Sequence, residues 1–219
     1  GVEGVAVFAD GSRVATASDE TARIWDATTG QQLLTLNGHT SRVKGVAVFA
    51  DGSKVATASY DQTARIWDAM TGQQLLTLKG HIFGVEGVAV FADGSKVATA
   101  SYDETARIWD ATTGQQLLAL EGHTRWVFGV AVFADGSKVA TASHDQTARI
   151  WDAMTAQQLL TLKGHIFGVE GVAVFADGSK VATASDDMTA RIWDATTGQQ
   201  LLTLKGHTRG VEGVAVFAD

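Results

Sequence analysis

The sequence contains no cysteine and no proline in its 219 residues. Without cysteine the chain can form neither disulfides nor thiolate metal sites, and its redox compartment is left open. Without proline its turns depend on other residues, and the 24 glycines supply the backbone conformations that tight turns need. No apolar run approaches the roughly 18 residues that a membrane-spanning helix requires.

Positive charge is also in short supply. The chain has 17 Lys and Arg against 24 Asp and Glu, which gives a formal net charge of −7. Proteins that bind nucleic acid ordinarily present an excess of positive charge. The balance therefore argues against DNA or RNA as a partner, and no patch of interleaved basic and aromatic residues emerges.

What the chain has in abundance is repetition. The tripeptide IWD recurs at Trp25 and the dipeptide GH at His39, and both return at intervals of 42 residues through five copies. The first unit is one residue shorter, because Ser18 runs directly into Asp19. After five units, residues 210–219 repeat the first ten residues of the chain. Such a fixed period indicates an array of similar structural units.

Each unit predicts four short β-strands, here called strands a to d. The segments VEGVAVFA, KVATAS, TARIWDA and QQLLTL are separated by turn signals such as Asp-Gly-Ser, which favours an antiparallel meander. Such a sheet is apolar on both faces and needs neighbours on both sides, and radial stacking produces a propeller. The expected blades are 1–37, 38–79, 80–121, 122–163 and 164–205, with 206–219 as the first strand of an incomplete sixth blade.

The GH…WD frame resembles the WD40 repeat family over essentially the whole chain. The chain departs from many family members in having AVFADG where they carry a proline before Asp-Gly, which changes a turn residue and leaves the fold assignment intact. The resemblance implies an all-β, WD40-type β-propeller with five four-stranded antiparallel blades plus one extra strand.

A set of His, Ser, Asp and Trp recurs at fixed spacing in units two to five. The set imitates a Ser-His-Asp triad, but a hydrolase needs one strained nucleophile beside an oxyanion hole, and four equivalent copies argue against that. The resemblance to WD40 proteins implies a structural tetrad in each blade, in which the indole reaches Ser, Ser reaches His, and His reaches Asp. The tetrads are His39, Ser59, Asp61 and Trp67; His81, Ser101, Asp103 and Trp109; His123, Ser143, Asp145 and Trp151; and His165, Ser185, Asp187 and Trp193.

No metal, cofactor or catalytic residue is expected. Five of the six histidines are spread one per blade, each facing a carboxylate, and His144 is extra at the variable turn position, which does not suit zinc. The Asp-Gly-Ser turns supply one carboxylate each, too few for a calcium loop. No phosphate-binding glycine motif is present.

Differences between the units concentrate at three positions: the loop after GH, the residue after the valine of that loop, and the residue before the tetrad Asp. In a four-stranded meander the d–a and b–c connections lie at one end of the sheet, so these positions share one rim. Partners of WD40 proteins most often bind a similar face. The candidate binding residues are Arg42, Lys44, Tyr60, Phe83, Glu86, Tyr102, Arg125, Trp126, Phe128, His144, Phe167, Glu170 and Asp186.

The function expected from this pattern is a non-enzymatic scaffold that presents the rim to a protein or peptide. The carboxylates of Glu3, Glu86, Glu170 and Glu212 near the channel mouth favour a partner with Lys or Arg. One alternative is that Phe83 and Phe167 only pack over the blade tops. Two others are an assembly module that forms larger rings by self-association and, less favoured, an enzyme or small-molecule binder in the central channel.

The sequence does not determine how the ring of blades closes. Five blades and one strand fit a piece of a longer array, an open arc, a five-bladed ring with the last strand displaced, or copies that associate. The first residue is not methionine and no secretory signal precedes Val2. We expect a fragment of a longer repeat protein, located in the cytoplasm, that binds neither nucleic acid nor membrane.

Overall fold

The computed structural model describes residues 1–217 as an all-β protein of five four-stranded antiparallel sheets. Each sheet is built from four consecutive strands in simple meander order, so every strand pairs with its sequence neighbour. Within the described residues, no helix is long and apolar enough to cross a membrane.

The strand bounds repeat from blade to blade. Blade 1 holds β1 (Val2–Val7), β2 (Arg13–Ser18), β3 (Thr21–Asp26) and β4 (Gln32–Asn37). Blade 2 holds β5 (Val43–Val48), β6 (Lys54–Ser59), β7 (Thr63–Asp68) and β8 (Gln74–Lys79). Blade 3 holds β9 (Val85–Val90), β10 (Lys96–Ser101), β11 (Ala106–Asp110) and β12 (Gln116–Leu120). Blade 4 holds β13 (Val127–Val132), β14 (Lys138–Ser143), β15 (Thr147–Asp152) and β16 (Gln158–Lys163). Blade 5 holds β17 (Val169–Val174), β18 (Lys180–Ser185), β19 (Ala190–Asp194) and β20 (Gln200–Leu204).

The turns between strands a and b follow from their Asp-Gly-Ser sequence. In blade 2, Gly52 adopts a φ of 68°, a conformation that costs glycine little, and its N–H donates to the Phe49 carbonyl at 2.8 Å. The Asp51 carboxylate accepts the Ser53 N–H at 3.0 Å. Turn chemistry of this kind sets the register of the hairpin and reverses the chain at the rim opposite the candidate binding residues.

The blades are held together by apolar packing between neighbouring sheets. Between blades 2 and 3, Phe49 and Ile66 of one sheet pack with Val97 and Trp109 of the next, all of them at most 2% exposed. Burial of such large apolar side chains is the main stabilising contribution to folding. The innermost strands β1, β5, β9, β13 and β17 contact one another in that order, which gives the radial arrangement of a propeller.

The two outermost faces of this array are less covered. Val5 of blade 1 is 65% exposed, whereas its counterpart Val46 of blade 2 is 9% exposed. Leu204 of blade 5 is 46% exposed, whereas its counterpart Leu162 of blade 4 is 0% exposed. Within the described residues, blades 1 and 5 therefore each have a blade on one side only.

The segment expected to start a sixth blade lies beside β17. The Val211 N–H donates to the Ser185 carbonyl at 2.9 Å, and a Cβ built on Gly171 would lie 3.2 Å from the Glu212 carbonyl oxygen. These contacts place the segment where the innermost strand of a following blade would lie. Residues 211–217 nevertheless join none of the five sheets, since the described part of the chain offers them no strand b.

Candidate functional site

A hydrogen-bonded network connects strands b and c inside blades 2 to 5. In blade 3, His81 Nδ1 lies 2.7 Å from Asp103 Oδ2, and His81 Nε2 lies 2.7 Å from Thr99 Oγ1. The Trp109 indole donates to the same Thr99 hydroxyl at 2.8 Å. The hydroxyl bound by both rings in the other three blades belongs to Thr57, Thr141 and Thr183.

The assignment of Ser59, Ser101, Ser143 and Ser185 as the hydroxyl of the network was wrong. Trp109 pairs with Val97 across the sheet, so its indole reaches the diagonal neighbour Thr99. Ser101 is two residues further along the same face, at the end of β10. Its hydroxyl donates to the Gly84 carbonyl at 2.9 Å and accepts the Asp103 N–H at 3.1 Å, so it fastens the loops instead.

The protonation states of the network follow from burial and hydrogen bonding. Burial lowers the pKa of His81 and outweighs the opposite effect of Asp103. Burial acts to raise the pKa of Asp103, but hydrogen bonds from His81 and Thr105 outweigh it and hold that pKa well below its usual range. A neutral imidazole therefore donates from Nδ1 to a carboxylate and accepts the Thr99 hydroxyl at Nε2. This tautomer satisfies every polar group of the network.

The network is a structural element. Thr99 and Ser101 are both 0% exposed, so a substrate in solution has no access to either hydroxyl. A nucleophile must be able to contact the substrate and must lie beside oxyanion-binding donors. The four buried copies are thus part of the blade interior.

Blade 1 contains only part of this network. The Trp25 indole donates to Thr16 Oγ1 at 2.8 Å, and no described histidine reaches that hydroxyl. Asp19 is exposed, has a φ of 51° and accepts a hydrogen bond from Ser18 at 3.2 Å. Trp25 is half-buried, whereas its counterparts in the other blades are 1% exposed.

The rim formed by the d–a and b–c loops contains a central funnel of 560 Å³. Its wall brings together residues from all five blades and from the segment that follows them. The lining residues are Glu3, Lys44, Tyr60, Glu86, Tyr102, Phe128, His144, Glu170, Asp186 and Glu212.

One side of the funnel mouth holds a half-buried cation, Lys44. Lys44 Nζ lies 2.8 Å from a carboxylate oxygen of Glu3, 3.4 Å from one of Glu86 and 5.4 Å from the centre of the Tyr60 ring. Burial acts to lower the pKa of Lys44, but the bond to Glu3 and the charge of Glu86 outweigh it and raise that pKa. One ammonium therefore offsets part of the charge of two carboxylates on this side of the mouth.

The opposite side of the mouth holds the carboxyl groups of Glu170, Asp186 and Glu212. Burial, the neighbouring Asp186 and the more distant Glu86 and Glu212 together raise the pKa of Glu170 to about 7. Within residues 1–217, no Lys or Arg forms an ion pair with Glu170, Asp186 or Glu212. These carboxyl groups thus have no Lys or Arg partner, and Glu170, with a pKa of about 7, is only partly ionised at neutral pH.

An aromatic pocket of 400 Å³ adjoins the funnel and is lined by Tyr60, Phe83, Gly84, Tyr102 and Trp126. The rings of Tyr102 and Trp126 meet edge to face with centroids 4.9 Å apart. The Tyr60 and Tyr102 hydroxyls are 2.6 Å apart. Phe83 and Trp126 are 56% and 48% exposed, so a binding partner has access to both rings.

The remaining candidate residues are spread more widely along the rim. Arg125 and Phe167 line another cavity of 400 Å³, together with His144. The His144 ring stacks on Trp126 with centroids 5.6 Å apart and 18° between the ring planes. Arg42 contacts the rim residues through its backbone, because its carbonyl accepts the Tyr60 N–H at 2.9 Å.

Sequence reasoning missed Gly84 as a member of the aromatic pocket. A Cβ on Gly84 would lie 2.9 Å from a ring carbon of Tyr60 and 3.3 Å from one of Tyr102, so a side chain there would displace both rings. The equivalent position in the next unit is Trp126, which fills the corresponding space with its indole. Across the units this position is Arg42, Gly84, Trp126, Gly168 and Gly210, and this change between a large side chain and none was the available signal.

A family model described as WD40 (WD domain, G-beta repeat) matches the chain in five consecutive segments: 1–26, 30–68, 72–110, 114–152 and 156–194. No curated protein matches the chain. From the second segment on, each match begins just before strand d of one blade and ends with strand c of the next. The sequence repeat thus links two neighbouring blades.

Proposed function

Because the chain belongs to the WD40 repeat family, we propose that it is a non-enzymatic scaffold that binds a protein or peptide on the rim formed by its d–a and b–c loops. WD40 repeats generally mediate protein–protein interactions, and the family is typically non-enzymatic. We further propose that the partner carries basic residues and that nucleic acid and membranes are not among its ligands.

The observation that carries this proposal is that the residues that differ between the repeat units are also residues that line the funnel. The residue before the network Asp differs between units as Tyr60, Tyr102, His144 and Asp186, and all four line the funnel. The surrounding frame is almost invariant from unit to unit. A surface that differs where the frame is constant fits recognition of one particular partner, with Tyr and Trp as typical anchors.

Self-association is a second candidate function, favoured by the uncovered outer faces of blades 1 and 5. Val2, Val5 and Val7 are 68%, 65% and 63% exposed on the first blade. Exposed apolar faces of this kind favour association with another surface. Sedimentation of the purified chain over a range of concentrations tests this, since association must raise the mass and Val5→Lys must lower it again.

The rim proposal is tested with Trp126→Ala and a matched control on the opposite rim, Met154→Ala. Both side chains are exposed, at 48% and 69%, so neither change should disturb the core. Proteins crosslinked to the wild-type chain in a lysate of its own cells are identified by mass spectrometry. A partner of the rim must be lost with Trp126→Ala and retained with Met154→Ala, while both variants keep the wild-type melting temperature. Equal capture by all three chains contradicts the proposal.

A further inference from the structure

The rim has two chemically different parts that share a wall. The aromatic pocket and the funnel are both lined by Tyr60 and Tyr102. Burial raises the pKa of both phenols, so the two rings are neutral at physiological pH. A ligand that crosses this pair of tyrosines contacts apolar rings on one side and carboxylates on the other.

The aromatic pocket suits an apolar side chain. Its lining is four aromatic rings and one glycine, and its volume of 400 Å³ exceeds that of any single amino-acid side chain. The Trp126 indole is held in place by Tyr102 on one side and His144 on the other. A rigid, partly exposed aromatic wall of this type binds apolar groups with little loss of side-chain entropy.

The chain itself shows how the funnel mouth binds a cation. The ammonium of Lys44 lies between Glu3 and Glu86 and over the face of Tyr60, which combines ion pairing with a cation–π contact. Lys44 occupies the position after the loop valine, where the following units have Glu86, Phe128 and Glu170. The mouth therefore has room for an ammonium group between two carboxylates and a tyrosine ring.

No such cation serves the other side of the mouth. Glu170, Asp186 and Glu212 lie without a Lys or Arg ion-pair partner in the described chain. An uncompensated group of carboxylates in a concave site attracts and orients a positive ligand. Charge complementarity therefore selects a basic group for this side.

We propose that the rim binds a peptide segment in which an aliphatic or aromatic side chain stands beside Lys or Arg. The apolar side chain enters the aromatic pocket of Tyr60, Phe83, Tyr102 and Trp126. The cationic side chain extends into the funnel towards Glu170, Asp186 and Glu212. This inference rests on the proposed function and adds the chemistry of the partner and its direction across the rim.

The test is a selection from a random peptide library displayed on phage. The library is selected on the wild-type chain, and each enriched peptide is then synthesised and titrated by fluorescence anisotropy. Three variants are titrated in parallel: Trp126→Ala, the double variant Glu170→Gln with Asp186→Asn, and Met154→Ala as the control. Circular dichroism melting curves show that each variant is folded.

The expected result is enrichment of peptides with an apolar residue next to Lys or Arg. Trp126→Ala should weaken their binding by about tenfold or more, as loss of a central aromatic anchor does. The double charge variant should weaken it by roughly fivefold and reduce its salt dependence. Met154→Ala should bind like the wild type.

Two outcomes overturn the inference and separate it from the proposed function. If the enriched peptides need Trp126 but lack basic residues, or bind the double charge variant unchanged, the pairing of apolar and basic groups is refuted while rim binding stands. If no enriched peptide depends on Trp126, both the inference and the rim proposal fail.

Discussion

Blades 1 and 3 have nearly the same sequence and differ in one internal network. In blade 3, Trp109 is 1% exposed and bonds to a threonine that also serves His81. In blade 1, Trp25 makes the same bond to Thr16 but is half-buried, and no described histidine joins it. His81 lies in the connection from blade 2 to blade 3. The interior of a blade is therefore completed by the segment that enters from the preceding blade.

The largest expected effect comes from Asp103→Ala in blade 3. The change leaves His81 Nδ1 and the Ile82 N–H without their acceptor and removes the partner of Thr105 and Arg107. Loss of a buried, hydrogen-bonded carboxylate should cost about 3 kcal/mol. The matched change Asp19→Ala, at an exposed position of blade 1, removes no buried partner and should cost about 1 kcal/mol, because alanine adopts the positive φ of that position less readily than aspartate. Urea unfolding measures the free energy of unfolding of both variants. Equal unfolding midpoints for the two variants would refute the structural role of the network. Neither variant should lose a hydrolytic activity.

A smaller effect is expected from Thr99→Val, which keeps the shape of the side chain. The change leaves His81 Nε2 and the Trp109 indole without the hydroxyl that serves both, at a cost of about 2 kcal/mol. Ser101→Ala removes only bonds that fasten the loops and should cost about 1 kcal/mol. A lower melting temperature for Ser101→Ala than for Thr99→Val would indicate that serine supplies the hydroxyl of the network.

The smallest effect concerns acid. Burial lowers the pKa values of His81, His123 and His165, so the folded chain binds fewer protons there than the unfolded chain. The stability that these neutral rings contribute is therefore complete above pH 6.5 and decreases as the pH falls through and below that value. NMR titration of the ring protons should give midpoints below 6.5 for all three. Midpoints at or above 6.5, or stability that rises on acidification from pH 7 to 5, would contradict this sign.

The sequence allowed the blades to be predicted because the signals that define them are local. Period, turn residues and alternation place the strands, and meander topology then brings the variable loops to one rim. The pairing of Trp109 with Thr99 instead of Ser101 depends on the register between β10 and β11, which repeat spacing does not report. The contacts of Lys44 with Glu3 and Glu86 depend on how closely neighbouring innermost strands approach, which is a property of the assembled array.

The uncovered outer faces of blades 1 and 5 have a consequence for how the molecule opens. In a linear array of near-identical units, stability is roughly a sum of equal terms for each unit and each contact between neighbours. Units with one neighbour then exchange their amide protons first, and units with two neighbours exchange last. Tyr60, Tyr102 and Trp126 belong to blades 2, 3 and 4. The aromatic pocket is thus carried by blades that have a neighbour on both sides within residues 1–217, and their amide protons should exchange later than those of blades 1 and 5 in this stretch.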